Sequence, residues 1–210
     1  MSDNELPPED LISEKRMGQV FLKSLRLQPS KFNLIVTLLS FVGFLVDGFL
    51  SKSNYVLMAD FVRSFTALGL NVAFSVLAFL IAGFTVFATM TERSLFMAKA
   101  IMRDPESGLS FLKRDMFLVM RFFGYLLAYI FICLAFLLFS RKGGVIYSII
   151  KMADLGDDVR QWFVVFAYVA FSTISVFVIL QVKSFIFNVY HLVMSSILWG
   201  FKNPQKKGGG

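Results

Sequence analysis

Four stretches of the chain are long and apolar enough to cross a hydrocarbon core, which takes roughly 20 helical residues. They cover about residues 32–50, 65–90, 117–139 and 162–183. The second carries no charge, the third has Arg121 near its start, and the fourth is uncharged from Trp162 until Lys183. The pattern predicts an all-α integral membrane protein with four transmembrane helices.

Small and weakly polar residues recur along the second span at helical spacing. Asn71, Ser75, Ala78, Ala82, Thr85 and Thr89 are separated by three or four positions and so share one face. Phe74, Leu77, Ile81 and Phe84 lie away from it. Comparable stripes run through Asn33, Thr37, Ser40, Gly43 and Asp47 in the first span and Gly124, Ala128 and Ala135 in the third. Small residues let membrane helices approach closely, and their hydroxyls and amides can bond across the contact. These faces are expected to pack on one another or on a neighbouring subunit. The competing reading is a pore lined by Thr, Ser and Asn. A conducting path usually carries a functional acid or base inside the membrane, whereas Asp47, Arg121 and Lys183 all sit near span ends, where snorkelling accounts for them.

Two helical patterns overrun the membrane. No Gly or Pro interrupts residues 84–105 apart from Pro105 itself, and the small-residue face continues through Glu92, Phe96, Lys99 and Arg103. A helix over 66–103 would be roughly 57 Å long, exceeding a bilayer core by about 25 Å. Asp104-Pro105-Glu106-Ser107-Gly108 then predicts a turn. The chain is expected to rise again from Leu109 as a helix that enters the third span. Residues 91–116 should therefore form a projecting αα-hairpin, with Leu95, Phe96, Met97, Ile101 and Met102 meeting Leu109, Phe111, Leu112 and Met116 across it. The fourth pattern also continues without Gly or Pro to Trp199, so residues 184–199 form a helical extension. Before the first span, residues 14–27 set Met17, Val20, Phe21 and Leu25 against Lys15, Arg16, Gln19, Lys23 and Arg26. That is a basic amphipathic helix suited to the headgroup plane. The expected organisation is an N-terminal segment over 1–31, a membrane domain over 32–199 and a flexible tail over 200–210.

Composition agrees with the spans. Of 210 residues, 57% are hydrophobic and 17% charged, with 26 phenylalanines. Water-soluble domains hold about 45–50% apolar and about 25% charged residues. The first 31 residues carry too many charges for a cleavable signal peptide. The net charge of +7 distributes unevenly: 14 Lys and Arg flank the N-terminal segment, second connection and C-terminus, against 6 in the first and third connections. The positive-inside rule places both termini and the hairpin in the cytoplasm. The charge thus accounts for topology and attraction to anionic lipid, and direct nucleic-acid binding is not expected.

Little of the sequence carries catalytic chemistry. Cys133 is the one cysteine and His191 the one histidine, so neither a disulfide, a thiolate metal site nor a Ser-His-acid triad can be assembled. Cys133 is expected to be a small buried residue and His191 a packing or helix-face contact. No phosphate-binding glycine motif occurs. No enzyme activity, cofactor or metal is expected.

A small, four-span chain with a cytoplasmic hairpin and termini, and with the segment Ala82-Gly83-Phe84-Thr85-Val86-Phe87-Ala88-Thr89, resembles the membrane subunit of the Kiwa anti-phage defence system. The resemblance covers the architecture of the whole chain and carries over no functional residue. It implies a membrane-embedded oligomer, with a tetramer favoured, in the bacterial inner membrane. It also implies a response to infection and a cytoplasmic effector partner able to bind DNA. The expected function is a sensor or scaffold subunit that recruits or regulates that partner; the alternatives are a channel or depolarising effector and a transporter accessory subunit. The candidate docking residues are Lys99, Arg103, Asp104, Glu106, Lys113 and Arg114, at the hairpin tip.

Overall fold

The computed structural model describes residues 14, 16–25, 30–90, 93–105, 107–141, 143–145, 148, 152 and 156–202. Six helices account for most of them: α1 (Met17–Leu25), α2 (Lys31–Leu50), α3 (Tyr55–Met90), α4 (Arg93–Ile101), α5 (Phe111–Phe139) and α6 (Asp157–Lys202). A 3-10 turn, Lys52–Asn54, joins α2 to α3. The one β feature among the described residues is an isolated bridge between Arg103 and Ser110. Four segments are long and apolar enough to cross a membrane: Lys31–Leu50, Lys52–Thr85, Phe111–Phe139 and Asp157–Trp199.

The expected span boundaries shift outward at two places. The second helix starts at Tyr55, ten residues before the expected Phe65. Tyr55–Ser64 includes Asp60 and Arg63, which end an apolar run but do not end a helix; Arg63 Nη1 pairs with Asp60 Oδ1 at 3.2 Å one turn away. The last helix begins at Asp157, where Asp157 and Asp158 occupy the first turn and favour the positive end of its dipole. At 46 residues it is about 69 Å long. Residues 91 and 92 lie outside the described residues, as do Lys15, Arg26, Glu106 and the expected tail from 203 onward.

The chain divides into two compact units. One comprises Pro29–Ala78 and Tyr125–Gln181. Its interior is built from Met58, Val62 and Thr66 of α3, Leu126, Tyr129 and Cys133 of α5, and Val165, Val169 and Ser175 of α6, all buried. Gly48 lets α2 approach α6: a Cβ there would stand 3.2 Å from Val165 and 3.3 Å from Tyr168. Asn33 is 3% exposed, and its amide donates to the Leu180 carbonyl at 3.2 Å. The first-span stripe is therefore split, with Asn33 packed inside while Gly43 and Asp47 are exposed.

The other unit comprises Met1–Gln28, Phe79–Gly124 and Val182–Gly210. Phe122 stacks on Phe185 with ring centroids 5.0 Å apart. Leu95, Phe117 and Val119 are buried, and Trp199 Nε1 donates to Ser94 Oγ at 3.4 Å. α1 packs on α5, since a Cβ on Gly124 would run into the Phe21 ring. Ser24 is fully buried and donates to the Phe21 carbonyl at 2.6 Å. Leu22 and Leu25, 66% and 41% exposed, point away from the chain. The expected apolar face of this helix is thus divided: Phe21 meets α5 while Leu25 stays outside.

Candidate functional site

The hairpin between α4 and α5 holds the candidate docking residues, and its turn is closed by backbone bonds. Asp104 N donates to Leu109 O at 2.7 Å, Gly108 N to Asp104 O at 2.9 Å, and Phe111 N to Met102 O at 3.1 Å. Gly108 has φ 71°, a left-handed conformation that side-chain-bearing residues adopt only with strain. Ser110 caps α5, its hydroxyl accepting from Lys113 N at 3.2 Å, the bond that an N-cap serine supplies to an otherwise orphan amide.

Charge then ties the turn together. Asp104 is 2% exposed. One of its oxygens accepts from Ser107 N at 3.0 Å and also from the Ser107 hydroxyl. The other meets Arg114 Nη1 at 3.1 Å. Lys99 Nζ lies 2.9 Å from Asp115 Oδ2. Lys113 is buried, and its ammonium sits 3.0 Å from Glu14 Oε2 while Lys23 Nζ lies 2.7 Å from Glu14 Oε1. A buried carboxylate between two ammoniums fastens the chain before α1 to the foot of α5.

The six docking candidates accordingly separate. Asp104 and Lys113 are internal and hold the hairpin together. Lys99 and Arg114 are half-buried in ion pairs. Arg103 is exposed, with Nε donating to Gly108 O at 3.0 Å. Glu106 lies outside the described residues. Sequence reasoning did not find Glu14 or Asp115, whose partners are 99 and 16 positions away. Ser110 was within its reach, as a serine just ahead of a helical run.

Beside the hairpin, α4, α5 and α6 enclose a cavity of about 450 Å³ lined by Lys99, Arg114, Asp115, Asn188 and His191 over a floor that includes Leu118 and Leu192. His191 is exposed and meets Phe187 edge-on at 4.7 Å, a helix-face contact. Each of the two cations in the lining is held in an ion pair, Lys99 by Asp115 and Arg114 by Asp104, which lies outside the lining.

The small-residue face of α3 is the second candidate. Asn71, Ser75, Ala78, Ala82, Thr85 and Thr89 are all exposed. The buried positions of the same helix are Met58, Val62, Thr66, Ala73 and Leu80, which at about 100° per residue centre roughly 180° away. Among the described residues, this face lies opposite the buried positions of α3. Ser75 and Thr85 bond back to the carbonyls of Asn71 and Ile81 at 3.0 and 2.9 Å, so their hydroxyls are satisfied within the helix. Comparison of the chain with protein-family models, with curated proteins and with solved structures returns no match.

Proposed function

We propose that this protein is a non-enzymatic membrane scaffold, assembled from several copies, that recruits or regulates an effector protein at the hairpin. The carrying observation is the construction of that hairpin. Its turn is held by backbone bonds, an ion pair between buried Asp104 and half-buried Arg114, and a serine cap, and it presents the exposed Arg103 guanidinium on this frame. A preorganised frame lowers the ordering cost of binding, and an exposed charge at its tip steers a complementary partner. The excess of Lys and Arg at the termini and second connection supports a cytoplasmic hairpin. Leu22, Lys23 and Leu25 of α1 suit the adjoining bilayer surface. The resemblance to the Kiwa membrane subunit supplies the setting, bacterial anti-phage defence at the inner membrane.

Lys113 and Asp104 are poor positions for a test, because each is itself buried and reversing either breaks an ion pair that holds the hairpin. Arg103→Glu is the discriminating variant. It should insert, assemble and accumulate as the wild type does, yet lose at least tenfold of the partner recovered from a mild-detergent pull-down in the native host. Full recovery by that variant would move the docking surface elsewhere. The outward Asn, Ser and Thr of α3 favour a second reading, a pore formed between copies; collapse of the membrane potential on overexpression of the chain alone would select it.

A further inference from the structure

A cleft of about 340 Å³ opens where α2 gives way to α3, lined by Asp47, Ser51, Asn54, Leu57, Phe61 and Tyr168 among others. It lies within one compact unit and is remote in sequence from the hairpin. We propose that it binds an organic ammonium group at the membrane boundary, with the Asp47 carboxylate as counter-charge and the Phe61 and Tyr168 rings as walls.

The carboxylate is the first observation. Asp47 sits three residues before the end of α2, and Tyr168 donates its hydroxyl to Oδ2 at 2.6 Å. Among the described residues, no cation pairs with Asp47. The nearby basic side chains are committed elsewhere. Lys52 Nζ lies 3.9 Å from Asp158 Oδ1 and 4.5 Å from the Trp162 ring centre. Arg63 meets Asp60 at 3.2 Å and the Ser140 carbonyl at 3.1 Å. Asp47 is exposed at the end of α2, so its carboxylate is open to a cationic ligand.

The walls select the kind of cation. A calcium ion takes six to eight oxygen ligands, whereas here one carboxylate, the Ser51 hydroxyl and the Asn54 amide share the cleft with Leu57, Met58 and two aromatic rings. Aromatic faces attract ammonium groups, and rings beside a carboxylate suit alkylammonium ligands. The rings are held in place: Phe61 stacks on Phe65 at 5.6 Å and Tyr168 meets Phe44 edge-on at 6.0 Å. The volume falls within the usual range of small-ligand sites. Ser51 and Asn54, which line the cleft, can bond the oxygen two carbons from the ammonium in an ethanolamine group. The ammonium can come from a phospholipid headgroup or from a free amine.

The test uses the full chain in dodecyl maltoside at constant ionic strength. Binding of three probes is measured by calorimetry: dihexanoyl phosphatidylethanolamine, dihexanoyl phosphatidylglycerol and ethanolamine. The ethanolamine lipid should bind at least tenfold more tightly than the glycerol lipid. Asp47→Asn should remove that preference, and Asp60→Asn, at an exposed carboxylate, should retain it. Free ethanolamine binding as tightly as its lipid would identify a soluble amine as the source; binding of the lipid alone would identify the headgroup. Phe61→Leu gives an independent reading, with the preference reduced at least threefold. Equal binding of the two lipids by the wild type would overturn the proposal, as would wild-type preference in Asp47→Asn.

Discussion

Gly69 and Tyr129 show how one atom constrains a helix contact. Tyr129 is 4% exposed and its hydroxyl lies 2.9 Å from Ser175 Oγ, which donates to the Phe171 carbonyl at 2.7 Å. A Cβ on Gly69 would collide with that tyrosine hydroxyl. Overpacking of this kind costs about 1–3 kcal/mol, so Gly69→Ala should lower the thermal midpoint in detergent. Tyr129→Phe removes the obstructing oxygen, and the double variant should recover part of the loss, with a coupling of about 1 kcal/mol in a double-mutant cycle. Strict additivity would show that Gly69 does not set the approach of α3 to α5. Gly69 lies off the small-residue stripe of this span, and its opposite number could not be read from the sequence. Tyr129 lies sixty positions on, and helical spacing relates residues only within one helix.

At the scale of elements, α1 and the hairpin depend on a charge pair that neither segment announces. Glu14 and Lys113 have side chains only 5% and 4% exposed. Removing one partner of a buried pair typically costs about 3–5 kcal/mol, while replacing both with apolar residues can be close to neutral. Lys113→Met should therefore free α1, seen as faster amide exchange over 17–25, and Glu14→Leu together with Lys113→Met should restore protection. Unchanged exchange in the single variant would show that Phe21 against Gly124 suffices to hold α1. The existence of the hairpin, its Pro-Gly turn and the helix that follows were legible, because punctuation by Pro and Gly is a local signal. The burial of Asp104 and Lys113 was not: a charged residue beside a turn looks exposed until its partner is placed.

For the whole molecule, the outward face of α3 is the feature that a single chain leaves unexplained. Ala78→Leu with Ala82→Leu adds bulk to this face and should reduce assembly by at least half in crosslinking or native mass spectrometry, with the monomer's thermal midpoint little changed. Ala73→Leu, on the buried face at 3% exposure, should instead destabilise the monomer. Equal assembly in the Ala78 and Ala82 variant would leave lipid as the neighbour of this face.

Length, apolar runs and turn residues by themselves determined that the chain is helical, that four segments are long and apolar enough to cross a bilayer, that a turn separates the second from the third, and that the last helix is longer than a bilayer core is thick. These properties follow from hydrophobicity and periodicity summed over many residues, so no partner element has to be known. Tertiary structure alone decided that the small-residue face of α3 points outward, that Asn33 reaches the Leu180 carbonyl, that Glu14 holds Lys113, and that Asp47 and Tyr168 meet across 121 positions. Each depends on which helices lie side by side. Helical periodicity specifies the rotation of residues about their own axis and leaves the identity of the neighbouring helix to packing.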